Sequence, residues 1–228
     1  MKVTYYGHFT FLIETQGQKL LFDPYILDNP LNKNFDLSSI SVDYIILSHG
    51  HGDHCADVME IYKHNSNATL IAMYEITDWF QKQGVQSVHP MNIGGKKSFD
   101  FGTLKMVNAV HSSMLPDGSY GGNPCGFLIQ NDEASFYISG DTALHQDMKL
   151  MPLWAPKLDF AIMPIGDNFT MGYEDACIAA DFVQTKQVIG AHFDTFGFIE
   201  IDKEKAINHF QENGKELVLI DINHSINI

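Results

Sequence analysis

The chain has 228 residues, 45% of them hydrophobic, which suits one folded unit over residues 1–228 with a substantial core and excludes a disordered polymer. Its 14 basic and 28 acidic residues give a net charge of −14, and the basic residues are all lysine, so a phosphate backbone would be repelled and nucleic acid is not an expected partner. No run approaches the roughly 18 consecutive apolar residues of a membrane span, no basic-then-apolar leader opens the chain, and Cys55, Cys125 and Cys177 form no C-x-x-C pair, so the expected setting is cytoplasmic with reduced thiols.

In chain order, Val3–Tyr6, Phe11–Glu14 and Lys19–Asp23 alternate as strands of a meander, with Gln16-Gly17-Gln18 as a turn. Residues 25–41, rich in Asn, Asp, Pro and Ser, form a long loop. Asp43–Ser48 is a buried strand and Asp57–Asn65 has helical character. Thr69–Met73 is a strand, and Glu75–Gln83 a helix closed by Gly84. Further strands are expected at Lys96–Phe99, Leu104–Ala109, Cys125–Gln130, Ser135–Ser139 and Leu158–Met163. Ala176, Ala179, Ala180 and Val183 space a helix over Tyr173–Gln184. Val188–Ala191 is a strand, Lys203–Asn213 a helix before Gly214, and Leu217–Ile220 a last strand. Two strand-rich halves with helices between strands predict an α/β chain of two mixed sheets covered by helices.

Four apolar strands end in metal-ligand residue types. Asp43–Ser48 runs into His49, Leu104–Ala109 leads through Val110 to His111, Ser135–Ser139 leads through Gly140 to Asp141, and Val188–Ala191 runs into His192. Sites in layered α/β folds form at the carboxyl ends of strands. In extended chain, residues i and i+2 point the same way, so His49 and His51 can grip one ion together. Gly50 and Gly52 are expected to let the backbone turn sharply, so that Asp53 and His54 face a second ion. Imidazole and carboxylate donors suit two divalent ions, zinc first, with manganese and iron also compatible. Two ions about 3.5–4 Å apart can bridge a hydroxide and clamp an attacked centre.

The His49-Gly50-His51-Gly52-Asp53-His54 cluster, followed by His111, Asp141 and His192, resembles the signature of the metallo-β-lactamase superfamily. That resemblance implies a four-layer αβ/βα sandwich. It implies that His49, His51 and His111 hold one ion, that Asp53, His54 and His192 hold the other, and that Asp141 bridges them. His51 stands where flavodiiron oxygen reductases carry Glu, which favours hydrolysis over redox chemistry. Gly7-His8-Phe9, Phe22-Asp23-Pro24, Gly140-Asp141-Thr142, the Gly166–Gly172 stretch and Ala191–Phe196 are similar to a family of short bacterial and archaeal metal-dependent hydrolases. That family is itself similar to the ascorbate-6-phosphate lactonases and, more distantly, to the phospholipase D that cleaves N-acylphosphatidylethanolamine. Its members commonly self-associate, so a homo-oligomer is an expectation.

Supporting residues carry two readings each. His8 is a candidate proton shuttle or substrate contact, against a satisfied buried histidine. Asp23 is a candidate orienter of a ligating histidine, against an ordinary turn before Pro24. Asp167 and Asn168 line the pocket or simply turn the chain. Asp194, where the family more often has Gly, alters the pocket wall or orients His192. Met171 and Phe196 are walls or core, and His64, His89, His145, His209 and His224 are surface. The expected reaction is hydrolysis of an ester, lactone or phosphoester bond of a small molecule by a metal-bridging hydroxide. Asp141, Asp53 and His8 are the expected catalytic residues. A phosphodiesterase or phospholipase-type hydrolase and a non-catalytic metal-binding scaffold are the alternatives. With no Arg in the chain, a bidentate guanidinium clamp on phosphate is impossible.

Overall fold

The strands β1 (Lys2–Gly7), β2 (Thr10–Thr15) and β3 (Gln18–Phe22) form an antiparallel meander, with Val3 facing Ile13 and Leu12 facing Leu21. Their apolar residues are buried on both faces, which is why the runs read as nearly continuous hydrophobic segments. From β3 the sheet continues in parallel through β4 (Tyr44–Ile46), β5 (Thr69–Met73) and β6 (Val88–Met91). Parallel neighbours need crossovers. The helical turn α1 (Gly52–Cys55) with α2 (Val58–His64) makes the first, and α3 (Tyr74–Lys82) the second. The computed structural model describes all residues 1–228.

The second half repeats this plan. β7 (Lys96–Phe99), β8 (Gly102–Asn108), β9 (Cys125–Gln130) and β10 (Ser135–Ile138) are antiparallel neighbours. β11 (Phe160–Pro164), β12 (Gln187–Ala191) and β13 (Glu216–Val218) then follow in parallel, linked by α4 (Tyr173–Val183) and α5 (Lys203–Glu212). The last strand, β14 (His224–Asn227), returns to pair with β1. The result is two seven-stranded mixed sheets.

Side-chain alternation assigns the layers. Phe127, Ile129, Phe136, Ile138, Phe160 and Ile162 join the larger buried cluster with Phe22, Ile45 and Ile71 of the first sheet. Their neighbours Leu128, Tyr137, Ala161 and Met163 face the other way, onto Ala176, Ala180 and Val183 of α4 and Phe210 of α5. The helices over the first sheet contribute Ile61, Ile76 and Phe80 to the larger cluster. The architecture is the expected four-layer αβ/βα sandwich. No helix is long and apolar enough to cross a membrane.

The direction of the strands decides where the candidate ligands meet. β1, β3 and β4 run the same way because two antiparallel steps restore direction, and so do β8, β10, β11 and β12. Their carboxyl ends therefore share one edge of each sheet. His8, Asp23 and His49 follow the first three; His111, Asp141 and His192 follow β8, β10 and β12.

Several elements differ from expectation. β6 carries Pro90 and β14 reads His-Ser-Ile-Asn; both are half-exposed edge strands whose pattern lacks alternation, and Pro is tolerated at such an edge. The α1 turn lies inside the ligand cluster. Short 3-10 segments occupy Leu37–Ser39 within the long loop and Gln146–Leu153 before β11. The long loop is pinned by Asp57, whose carboxylate accepts from the backbone N–H groups of Ile26 and Leu27.

Candidate metal centre

Three strand ends leave their sheets through left-handed backbone: His8 at φ 55°, Asp23 at φ 44° and His192 at φ 54°. Non-glycine residues pay roughly 1–3 kcal/mol for that region and keep it only where the surroundings dictate it. Here the surroundings are hydrogen bonds. The His192 N–H donates to His8 O at 2.7 Å, the Asp23 N–H to Ile46 O at 3.1 Å, and Thr10 Oγ1 to Asp23 O at 2.8 Å. The strain turns each chain sharply at the sheet edge.

Beyond β4, the Ser48 N–H and Oγ both donate to the Asp23 carboxylate, and the other oxygen contact of Asp23 is His54 Nδ1 at 2.9 Å. Asp23 thus fixes which nitrogen of His54 faces the cluster: it is Nε2. His51 is extended (φ −63°, ψ 146°), and α1 then begins, which swings Asp53 and His54 to a different face from His49 and His51. Neither Gly50 nor Gly52 has a positive φ, contrary to the expected sharp turn. Gly50 favours close approach, because a Cβ there would sit tightly at 3.2 Å from Met114 O. Gly52 has open space around it.

The donor atoms fall into two main groups. Those of His49, His51 and His111 lie within 4.8 Å of one another, as do those of His8, Asp53, His54 and His192. Asp141 Oδ2 stands between them, 3.3 Å from His54 Nε2, 3.1 Å from His192 Nε2 and 3.6 Å from His111 Nε2. Asp23, His49 and His54 also come together, but both Asp23 oxygens are already occupied by Ser48 and His54, so Asp23 acts from behind.

The residues fit divalent cations. His54 Nε2 and Asp141 Oδ1 are buried with no hydrogen-bond partner, a costly arrangement unless a cation satisfies them. Burial, then His54 nearby, pushes the His49 imidazole well below the usual histidine range; burial also lowers His51 and His111. Neutral imidazoles are the metal-binding form. Burial opposes charge on His54 too, but Asp141 and Asp23 on either side hold it well above the usual range. Burial would raise Asp141, yet His192 and His54 keep its carboxyl well below the ordinary carboxylate range.

Gly140 sets the approach of Asp141. It sits at φ 59°, and an added Cβ would lie 2.4 Å from Ser48 Cβ and 3.0 Å from Cys125 O. Gly140→Ala is expected to cost about 3 kcal/mol by urea unfolding, from backbone strain plus overlap with the His49 loop. A change below about 0.5 kcal/mol, the scatter of an ordinary surface substitution, would contradict this packing.

The cluster opens into a cavity of about 620 Å³. His51, Asp53, His111, Asp141 and His192 form its floor, and Ser112, Phe169, Phe196, Gly197 and Phe198 its sides. Other expected site residues lie elsewhere. His8 is fully buried behind Asp53, with Nε2 3.1 Å from Asp53 Oδ2 and Nδ1 3.0 Å from Thr195 Oγ1, so it does not face the cavity. Burial, then His192, pushes its pKa down to about 4. Asp167 and Asn168 are exposed in left-handed backbone outside the cavity, with the Asn168 N–H capped by Asp167 Oδ1. Asp194 accepts from the Ile201 N–H at 3.1 Å and pairs with Lys203 at 3.0 Å, away from the floor. Met171 is core. His145, expected at the surface, is half-buried with neither ring nitrogen bonded, and His89 and His209 are also partly covered. The Cys55 thiol beside the ligand loop is buried and pushed up to about 12, so it offers no thiolate. Sequence reasoning missed Ser112, Phe169 and Phe198; only their adjacency to His111 and to the glycine-bounded loops could have signalled them.

Strand-end histidines and a shared carboxylate at one edge of an αβ/βα sandwich define a metallo-β-lactamase-type centre, and residues 19–193 match the family described as the beta-lactamase superfamily domain. The chain is 51% identical over 228 residues, the whole of both chains, to a UPF0173 metal-dependent hydrolase of Flavobacterium johnsoniae, and 48% identical over 229 residues, again all of both, to one of Christiangramia forsetii. It belongs to this family of metal-dependent hydrolases within the superfamily. Among solved structures it is similar to Igni18, a metallo hydrolase of the archaeon Ignicoccus hospitalis, with a TM-score of 0.87 and 29% identity over 99% of this chain and 97% of that one. An isothiocyanate hydrolase from Delia radicum gut bacteria shares the fold, with a TM-score of 0.80 and 17% identity over 100% and 99%.

Proposed function

We propose that this metal-dependent hydrolase is dinuclear and acts on an ester, lactone or phosphoester bond of a small molecule. One observation carries the reading: Asp141 Oδ2 lies between two separate groups of donors at the floor of an open cavity. His49, His51 and His111 would hold one ion, Asp53, His54 and His192 the other, and Asp141 would touch both. Zinc suits this nitrogen-rich set best, with manganese or iron compatible. When bound, such ions supply a water of lowered pKa and polarise the attacked oxygen.

The protein groups supply orientation and proton handling. Asp23 holds His54 in one tautomer, the usual arrangement behind a ligating histidine. His8, neutral above about pH 4, is oriented by the Thr195 hydroxyl and bonds Asp53. Burial would raise Asp53, but this bond and the neighbouring His54 hold its carboxyl far below the ordinary range, so it stays ionised. His8 is therefore a positioning residue for Asp53. Asp141, at the cavity floor, is the group placed to accept a proton from an attacking water.

The test is a panel of p-nitrophenyl acetate, simple lactones and bis-p-nitrophenyl phosphate with zinc- or manganese-loaded protein. At least one class is expected to turn over. No turnover on any class with both ions bound would favour a metal-binding scaffold instead.

A further inference from the structure

Resting on that reading, we infer that the substrate is a neutral carboxylic ester or lactone carrying an apolar alkyl or aryl group, held against a wall formed by Phe169, Phe196 and Phe198. The floor of the cavity is polar, but one side is aromatic. Phe198 is 77% exposed and Phe169 51% exposed, and their rings meet edge to face at 6.2 Å and 77°. Neither ring is needed for the core, and both are open to the cavity. Large apolar side chains grouped at the mouth of a polar site are the usual mark of a ligand subsite.

The wall stands on braced backbone. Phe169 lies in the loop after β11, closed by the bridge between Gly166 and Gly172 and tied to the Asp141 loop through the Met171 N–H and Thr142 O at 2.9 Å. Phe196 and Phe198 lie in the loop after β12, where the Asp194 N–H donates to Ile199 O at 2.8 Å and the Asp194 carboxylate ties down Ile201 and Lys203. This gives Asp194 its use: it holds the wall rather than the substrate. The first loop is hydrogen-bonded to Thr142, next to Asp141, and the second begins at His192, so both rings are tied to the floor.

Charge narrows the class. No Lys lines the cavity, and the chain has no Arg. Lys203, at the start of α5, is paired with Asp194 and lies over the Phe193 ring. A phosphate or carboxylate on the far part of a substrate would therefore meet phenyl rings and no cation, whereas an apolar group gains contact there. The Ser112 hydroxyl, 3.4 Å from His51 Nε2, is the one uncharged polar side chain lining the cavity besides its histidines.

The experiment uses the zinc-loaded protein with p-nitrophenyl acetate, butyrate and octanoate, and in parallel measures binding of acetohydroxamic and octanohydroxamic acids by calorimetry. A buried methylene is worth about fourfold. With half burial against the open wall, octanoate is expected to exceed acetate in kcat/KM by roughly 30- to 100-fold, and octanohydroxamate to bind tighter by a similar factor. Phe198→Ala and Phe169→Ala should each cut the octanoate-to-acetate ratio by about tenfold with unchanged metal content. Equal kcat/KM across the ester series, or equal affinity of the two hydroxamates, overturns the wall. Absence of ester turnover with a chain-length preference retained in binding would instead leave the wall standing and remove the ester reading of the site.

Discussion

Asp141→Asn is expected to lower turnover by about 10³-fold or more and to leave at most one equivalent of bound metal. The substitution keeps the shape and removes only the charge and one acceptor. Yet Oδ2 of this residue is the atom within 3.6 Å of His54, His192 and His111. It is the only side chain that contacts histidines of both donor groups through one oxygen. An amide there places N–H or a weaker acceptor where the two proposed ions would need negative charge. Metal content by plasma mass spectrometry and kcat/KM on the best substrate are read together. A variant with two equivalents of metal and activity within tenfold of the parent would contradict the bridging role.

Metal removal should also be felt by the fold. Chelation would leave His54 Nε2 and Asp141 Oδ1, both buried, without a partner, and the carboxylates of Asp53 and Asp141 without a cation. Linkage sets the size of the effect: free ion at about a thousand times its Kd adds about 4 kcal/mol. For a chain of this length each kcal/mol moves Tm by about 2–4 °C, so exhaustive dialysis against chelator should lower Tm by roughly 8–16 °C. Zinc should restore it together with activity. An unchanged Tm after complete removal would mean that the cluster is not coupled to folding.

Much of this was visible in the chain itself. Buried parallel strands are continuous apolar runs, so the sudden polarity of Ser48-His49, Gly140-Asp141 and His192 marks both a strand end and a candidate ligand. The i, i+2 spacing of His49 and His51 places them together because the chain is extended there. Edge strands were harder: β6 and β14 pair on few neighbours, are half-exposed and need no apolar alternation. The glycines of the motif were misread, because a small residue can be demanded by a neighbouring carbonyl as well as by its own φ. Loop side chains have no period at all. Asp167, Asn168 and Asp194 looked like pocket groups by proximity in sequence, whereas Phe169 and Phe198, one to four residues away, and Ser112, next to His111, are the ones that face the cavity. His8 was found, but its partner was not. Only the fold shows that its Nε2 meets Asp53, 45 residues on, and its Nδ1 meets Thr195, 187 residues on.

A two-ion centre with a shared carboxylate has a direct crystallographic signature. A crystal structure of the zinc-loaded protein, with anomalous data on both sides of the zinc edge, tests it directly. Two peaks are expected, one among His49, His51 and His111 and one among Asp53, His54 and His192, each in contact with Asp141. A single peak at full zinc loading, or two peaks of which one has no contact with Asp141, would contradict it.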